Sequence, residues 1–301
     1  MREILIISGK GGTGKTSLTA CFAQLAQETR KTVLCDLDVD APDLHILLDP
    51  RVERKEPFIS GHEARIDPEK CVGCGLCASM CRFDAIAPDG DVYRVDPLRC
   101  EGCKVCVAFC PSEAVEFPDT HCGYWYRSQT RFGPMAHAQL FPGAENSGKL
   151  VMLLKQQARE MAKEQGCEQI LSDGAPGVGC PVISSLSGAH MAVLVTEPTP
   201  SGRHDLERVS ALCDYFRIRS GVIINKCDLN AGEAERIEAF CAEKGYTLLG
   251  KLPYDPRVTE AMVARKTVLE LPESSFSGLL REAWANIETL AGSIPSQKPA
   301  F

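Results

Sequence analysis

The chain has 301 residues, enough for a full α/β core and one small additional domain. A hydrophobic content of 44% and a charged content of 24% are those of a water-soluble globular protein, and the net charge of −7 offers no electrostatic footprint for nucleic acid. No apolar run reaches the roughly 18 residues of a membrane-crossing helix, so neither nucleic acid nor membrane insertion is expected.

The N-terminal segment alternates strand, helix and strand. Ile4–Ser8 is a short apolar run suited to a buried parallel strand. It opens directly into a glycine-rich segment, so it reads as the first core strand and not as an export sequence. Leu18, Phe22, Leu25 and Ala26 give Thr16–Thr29 a helical spacing, and Thr32–Cys35 is a second strand ending in Asp36-Leu37-Asp38. A β-α-β unit of this length implies a right-handed crossover and a parallel sheet.

From about residue 58 to 118 the pattern changes and cysteine, glycine, aspartate and proline crowd in. Two runs stand out, Cys71-x2-Cys74-x2-Cys77-x3-Cys81 and Cys100-x2-Cys103-x2-Cys106-x3-Cys110-Pro111. They belong to an internal repeat: Ile66-Asp67-Pro68-Glu69-Lys70-Cys71 is echoed by Val95-Asp96-Pro97-Leu98-Arg99-Cys100, and Phe83-Asp84-Ala85-Ile86 by Ser112-Glu113-Ala114-Val115. Each copy is too small to form a core, which makes metal the expected organising element. Sixteen cysteines without an export segment point to a reducing cytoplasm, where thiols bind metal more often than they pair.

Residues 119–150 are rich in glycine, serine and aromatic residues and carry no readable period. After them α/β alternation returns. Helices are expected over Leu150–Gln165, Leu206–Phe216, Glu233–Lys244 and Phe276–Ala291, the last followed by a polar tail. Strands are expected over Gln169–Ser172, Met191–Thr196, Gly221–Asn225 and Thr247–Leu252.

Gly9-Lys10-Gly11-Gly12-Thr13-Gly14-Lys15-Thr16 satisfies G-x4-G-K-[ST] between a strand and a helix. Glycines let the backbone curl so that its N–H groups, from Gly11 through Ser17, surround phosphates at the positive end of the helix. Lys15 is expected on the outer phosphates and Thr16 on Mg²⁺. The cysteine runs match the bacterial two-cluster ferredoxin arrangement, in which the fourth cysteine of each run serves the other cluster. On that pattern one [4Fe–4S] cluster takes Cys71, Cys74, Cys77 and Cys110, and the second takes Cys100, Cys103, Cys106 and Cys81. Zinc also uses C-x2-C pairs, but eight ligands in two such runs disfavour it. Arg82 stands where the first run would often have proline. Cys21, Cys35, Cys213 and Cys241 fall in helix or strand patterns as small buried hydrophobes, whereas Cys122 and Cys180 remain open between buried thiols and transient metal ligands.

Lys10-Gly-Gly-Thr-Gly-Lys-Thr16 resembles the deviant Walker A loop of the MinD/ParA/Mrp and nitrogenase iron protein class. With Arg131-Phe-Gly-Pro-Met135, Asp173-Gly-Ala-Pro-Gly-Val-Gly-Cys-Pro181 and Thr196-Glu-Pro-Thr-Pro-Ser-Gly202, the chain resembles MinD-superfamily P-loop ATPases that contain an inserted ferredoxin domain. The resemblance implies an α/β P-loop fold at 1–57 and 119–301, interrupted by the insert at 58–118. It implies bound ATP or ADP, Mg²⁺ and two [4Fe–4S] clusters. It also implies a homodimer, or a heterodimer with a paralogue, closed across nucleotide, with Lys10 reaching the partner's ligand. Asp38 maps to the residue that positions attacking water, Asp173 to the one that holds Mg²⁺ through water, and Asn225 to an adenine contact. Asp36 and Asp40 are open between site residues and solvated or capping carboxylates.

Three functions follow from the resemblance. The first is a slow ATPase whose dimerisation is coupled to electron transfer or metal-cluster assembly, with a redox or cluster-carrier protein as partner. The second is a MinD/ParA-like spatial-positioning ATPase whose clusters are structural. A MinD-type membrane helix would be basic and amphipathic, and Phe276–Leu290 has few basic residues. The third is an Mrp-like iron–sulfur cluster carrier.

Overall fold

The computed structural model describes residues 1–144 and 146–294. In chain order the first elements are β1 (Arg2–Ser8), α1 (Lys15–Thr29), β2 (Thr32–Asp36), α2 (Leu44–Leu48) and β3 (Arg51–His62). The cysteine-rich region contributes β4 (Arg65–Ile66), α3 (Leu76–Met80), β5 (Ile86–Asp89), β6 (Val92–Val95), α4 (Val105–Ala108) and β7 (Val115–Glu116). Then come β8 (Asp119–Thr130), β9 (Gly133–Leu140), α5 (Ser147–Gln165), β10 (Gln169–Pro176), α6 (Cys180–Leu186), β11 (Met191–Thr196) and α7 (Pro200–Tyr215). The chain closes with β12 (Arg219–Asn225), α8 (Ala231–Lys244), β13 (Thr247–Leu252), α9 (Arg257–Val263), a short 3₁₀ turn and α10 (Ser275–Gly292). The expected polar tail begins beyond residue 294 and lies outside the described residues.

The main sheet has the order β13-β12-β11-β1-β10-β2-β9-β8-β3. The pairs from β13 through β2, and β2 with β9, are parallel. The expected α/β fold with a mainly parallel sheet is therefore present. Its centre is apolar because both faces are covered: Ile4, Leu5, Ile6 and Ile7 of β1 are all at most 1% exposed. Each such side chain contributes about 1.5–3 kcal/mol on burial. Helices α1 and α10 cover one face, with the Phe22 and Trp284 rings stacked at 5.5 Å between centroids.

Two features depart from the sequence pattern. The stretch from 119 to 150 is two long strands and the start of α5, not irregular chain. Helix α7 begins at Pro200, ahead of the expected Leu206, because Thr199 caps it by accepting from Gly202 N at 2.9 Å and proline suits its first turn.

Contacts divide the chain into two compact units, one of Met1–Glu56, Trp125–Gln139 and Ser147 onward, the other of Pro57–Tyr124 with Leu140–Asn146. The second unit is small. It holds the antiparallel pairs β4–β7 and β5–β6 and a core of only Ala64, Ile86, Val95 and Val115, packed against Cys77, Cys81, Cys100, Cys106 and Cys110. Its two halves are braided: Asp67 N donates to Ala114 O at 2.8 Å and Asp96 N to Ala85 O at 2.7 Å.

Candidate functional site

Strand β1 ends at Ser8 and α1 begins at Lys15, so the glycine-rich segment spans a strand-to-helix turn at the C-terminal edge of the parallel sheet. Gly12 and Gly14 take left-handed φ values of 79° and 86°, which a side chain would resist. No side chain caps α1, leaving its first N–H groups open. Thr13 Oγ1 is buried without a hydrogen-bond partner, a polar atom turned into the loop with nothing to bind. Such a cradle fits an anion.

Five charged or hydroxyl side chains converge behind the loop. Lys15 Nζ lies 2.9 Å from Asp173 Oδ1 and 3.5 Å from Asp38 Oδ2. Asp173 is wholly buried; its Oδ2 accepts from Thr16 Oγ1 at 2.7 Å and its Oδ1 from Thr19 Oγ1 at 3.0 Å. Burial works against the Lys15 ammonium, but Asp173 and Asp38 outweigh it and raise its pKa. Burial pushes the Asp38 carboxyl up, against the pull of Lys15. Asp36 is buried rather than solvated, accepting from Asp38 N at 3.1 Å and Leu44 N at 3.3 Å, and burial with the nearby Asp173 charge holds it well above the usual carboxylate range. It fixes the chain that carries Asp38. Asp40 is exposed.

A cavity of about 730 Å³ opens over this group. Gly11, Gly12, Thr13, Gly14, Lys15, Thr16, Ser17, Asp38 and Asn225 all line it, whereas Asp173 lies beneath its floor. Pro253, Tyr254, Val258, Met262 and Phe276 also line it, and the sequence assigned none of them to the site. The volume suits a mononucleotide-sized ligand, with apolar as well as charged lining residues.

The second unit holds two further cavities. One is lined by Cys71, Cys74, Cys77 and Cys110, the other by Cys81, Cys100, Cys103 and Cys106. The fourth cysteine of each run thus faces the other run's cavity. The repeat extends to detail: Gly75 and Lys104 precede α3 and α4 in left-handed conformation, and Asp84 and Glu113 share a φ of 50°. Ala85 N donates to Cys81 Sγ at 3.4 Å and Ala114 N to Cys110 Sγ at 3.3 Å. For Cys110 burial opposes ionisation, but the Ala114 N–H and Ser112 hydroxyl outweigh it and lower the thiol's pKa. Among the described residues no group of three or more His, Cys, Asp or Glu side chains is gathered as one metal ion would require. Of the two cysteines left open by the sequence, Cys122 is buried with its thiol on Ser60 O at 3.0 Å, and Cys180 is exposed at the start of α6.

Comparison with known proteins gives the lineage. Residues 4–268 match the CbiA family, the CobQ/CobB/MinD/ParA nucleotide binding domain. The chain belongs to this family. It is 32% identical over 286 residues to the uncharacterized protein MJ0578 of Methanocaldococcus jannaschii, covering 95% of this chain and 96% of that one. Among solved structures it resembles the cell division ATPase MinD of Pyrococcus furiosus, with a TM-score of 0.59 and 21% identity over 96% of this chain and 99% of that one. The septum site-determining protein MinD of Pyrococcus horikoshii, complexed with Mg-ADP, gives 0.59 and 20% over 97% of each chain. At these identities the structural likeness speaks to fold.

Two residues whose roles the resemblance implies make contacts within this single chain. Lys10 is turned onto its own subunit, with Nζ 2.7 Å from Glu197 Oε1 and within hydrogen-bond reach of Thr199 Oγ1 (3.2 Å) and Ser201 Oγ (3.0 Å). Asn225, expected at a base, donates from Nδ2 to Thr13 O at 2.7 Å. Lys226 bridges Gly12 O at 2.9 Å and Glu197 Oε2 at 3.2 Å. Burial opposes ionisation of Glu197, but the Lys10 and Lys226 ammonium groups outweigh it and hold the carboxyl below its usual range. Glu197 lies in the Thr196–Gly202 motif and Lys226 beside Asn225, but the sequence assigned neither a role, because their contacts join segments far apart in the chain. No described helix is long and apolar enough to cross a membrane.

Proposed function

We infer that the chain is a MinD/ParA-type ATP-dependent switch that hydrolyses ATP slowly and dimerises across the nucleotide. The observation that carries this reading is the Lys15–Asp173–Thr16–Asp38 group beneath an open, glycine-lined cavity. In it, Lys15 neutralises the outer phosphates and the loop N–H groups hold them. Thr16 and Asp173 would hold Mg²⁺, their oxygens already being neighbours; bound Mg²⁺ would neutralise phosphate charge. Asp38 orients the attacking water. Lys10 leaves Glu197 to meet the partner's nucleotide. The test is Asp38→Ala: with Mg-ATP it is expected to sediment as a dimer while hydrolysis falls about 100-fold or more. A monomer that fails to bind ATP would sink the reading.

The two four-cysteine cavities support a pair of [4Fe–4S] clusters, Cys71, Cys74, Cys77 and Cys110 holding one and Cys81, Cys100, Cys103 and Cys106 the other. Four thiolates to a cavity are the donor set that such a cluster would take. Such clusters would supply one-electron chemistry; the protein's own part is to hold the thiolates and donate N–H groups to Cys81 and Cys110.

What the switch drives has two readings. The likeness to cell-division MinD favours spatial positioning with structural clusters, and it receives more support from the neighbours than electron transfer does. The cysteine cavities favour electron transfer or cluster assembly with a redox or cluster-carrier partner; an Mrp-like carrier role would instead require transfer to an acceptor. Anaerobic EPR titration with and without Mg-ATP separates them. Midpoint potentials that move with nucleotide support electron transfer, potentials that do not move count against it, and cluster transfer to an apo-acceptor would identify a carrier.

A further inference from the structure

Two carbonyls of the phosphate loop are held by side chains at the end of β12 and just after it. Asn225 Nδ2 donates to Thr13 O at 2.7 Å and Lys226 Nζ to Gly12 O at 2.9 Å. In a trans peptide the N–H points opposite to the C=O it follows. Capturing the carbonyls of residues 12 and 13 therefore fixes the orientation of the Thr13 and Gly14 N–H groups as well, in a loop whose residues line the cavity. The fit is close: a Cβ on Gly14 would stand 2.4 Å from Asn225 Nδ2. Lys226 follows β12 with a left-handed φ of 54°, a conformation that disfavours a side chain. Its ammonium is anchored on the far side by Glu197 Oε2 at 3.2 Å.

We propose that Asn225 and Lys226 are positioning residues that clamp the phosphate loop in its anion-binding shape, with Glu197 anchoring Lys226. The clamp serves the polyphosphate part of the ligand and is indifferent to the base. It deepens the nucleotide-binding reading above and rests on it.

The test measures affinities of Mg-ATP, Mg-GTP and inorganic tripolyphosphate by calorimetry on the full chain. Asn225→Ala is expected to weaken all three about equally, by roughly tenfold, leaving discrimination between ATP and GTP as in wild type. Lys226→Gly accepts the left-handed backbone, so its thermal midpoint should not fall, yet it should lose about tenfold in tripolyphosphate affinity. Lys226→Arg should recover most of that loss. If Asn225→Ala weakens ATP alone and leaves tripolyphosphate untouched, Asn225 is a base contact and the clamp is wrong. Wild-type affinity in Lys226→Gly would equally overturn it. A wild-type chain that binds tripolyphosphate but no nucleotide would overturn the functional reading while leaving the clamp, and one that binds neither would overturn both.

Discussion

His137 on β9 is only 6% exposed and packs between two rings, Tyr126 at 4.8 Å and His45 at 6.1 Å between centroids. Its Nε2 shares a 2.8 Å hydrogen bond with Ser128 Oγ. Burial, then His45, lowers its pKa from 6.5 to about 4. The unfolded chain therefore binds a proton that the folded chain refuses between those values. Stability from this residue is complete above pH 6.5 and is lost as pH falls toward 4, amounting to about 2 kcal/mol between pH 7 and pH 5. His137→Gln, which can keep the Ser128 hydrogen bond, should flatten that part of the pH profile in denaturant titrations. An unchanged slope would assign the acid sensitivity to other groups. Nothing in the sequence marked His137, because its environment is made by strand pairing. The phosphate loop was legible for the opposite reason: its chemistry is local, and six residues between a strand and a helix, with the Lys15 and Thr16 that open the helix, form the cradle. Asn225 was half legible, since its type and place in the chain were visible but its partner was not.

The β8–β9 hairpin shows where element prediction stops. Its strands contain glycine, serine and histidine at positions that break alternation, although Cys122, Trp125, Ser128 and Thr130 are buried. Strand β3 hid for another reason. It lies at the edge of the sheet, and its first five residues, Arg51-Val-Glu-Arg-Lys55, are exposed, so charge guards the edge where an apolar period would betray a strand. The turn between β8 and β9 is set by Gly133, whose φ is 125° and where a Cβ would meet Thr32 O at 2.6 Å. That carbonyl is backbone and has little room to yield. Gly133→Ala is expected to destabilise the fold by about 2–4 kcal/mol, read as a shift in the denaturant midpoint. A change within about 0.5 kcal/mol, the range of a neutral surface substitution, would contradict the turn described here.

On the scale of the whole molecule, the internal repeat and the change of composition near residue 58 fall within the second compact unit, which begins at Pro57. The return segment Leu140–Asn146, which joins the same compact unit, carried no such signal. The crossing of the cysteine runs is the property most open to test. Cys81→Ala should remove the same EPR signal as Cys103→Ala after anaerobic reconstitution, and leave the signal that Cys74→Ala removes. If Cys81→Ala instead matches Cys74→Ala, each run serves its own cavity and the proposed ligand sets fail. The braided backbone bonds, Asp67 to Ala114 and Asp96 to Ala85, make the same statement without the sulfurs.

That braid also orders events in time. As the chain leaves the ribosome, the first run emerges with all four of its cysteines and still completes neither cavity. Cys106 finishes one cavity and Cys110, a few residues later, finishes the other. Neither cavity has its four cysteines until the second run follows the first, and the two sets are completed four residues apart.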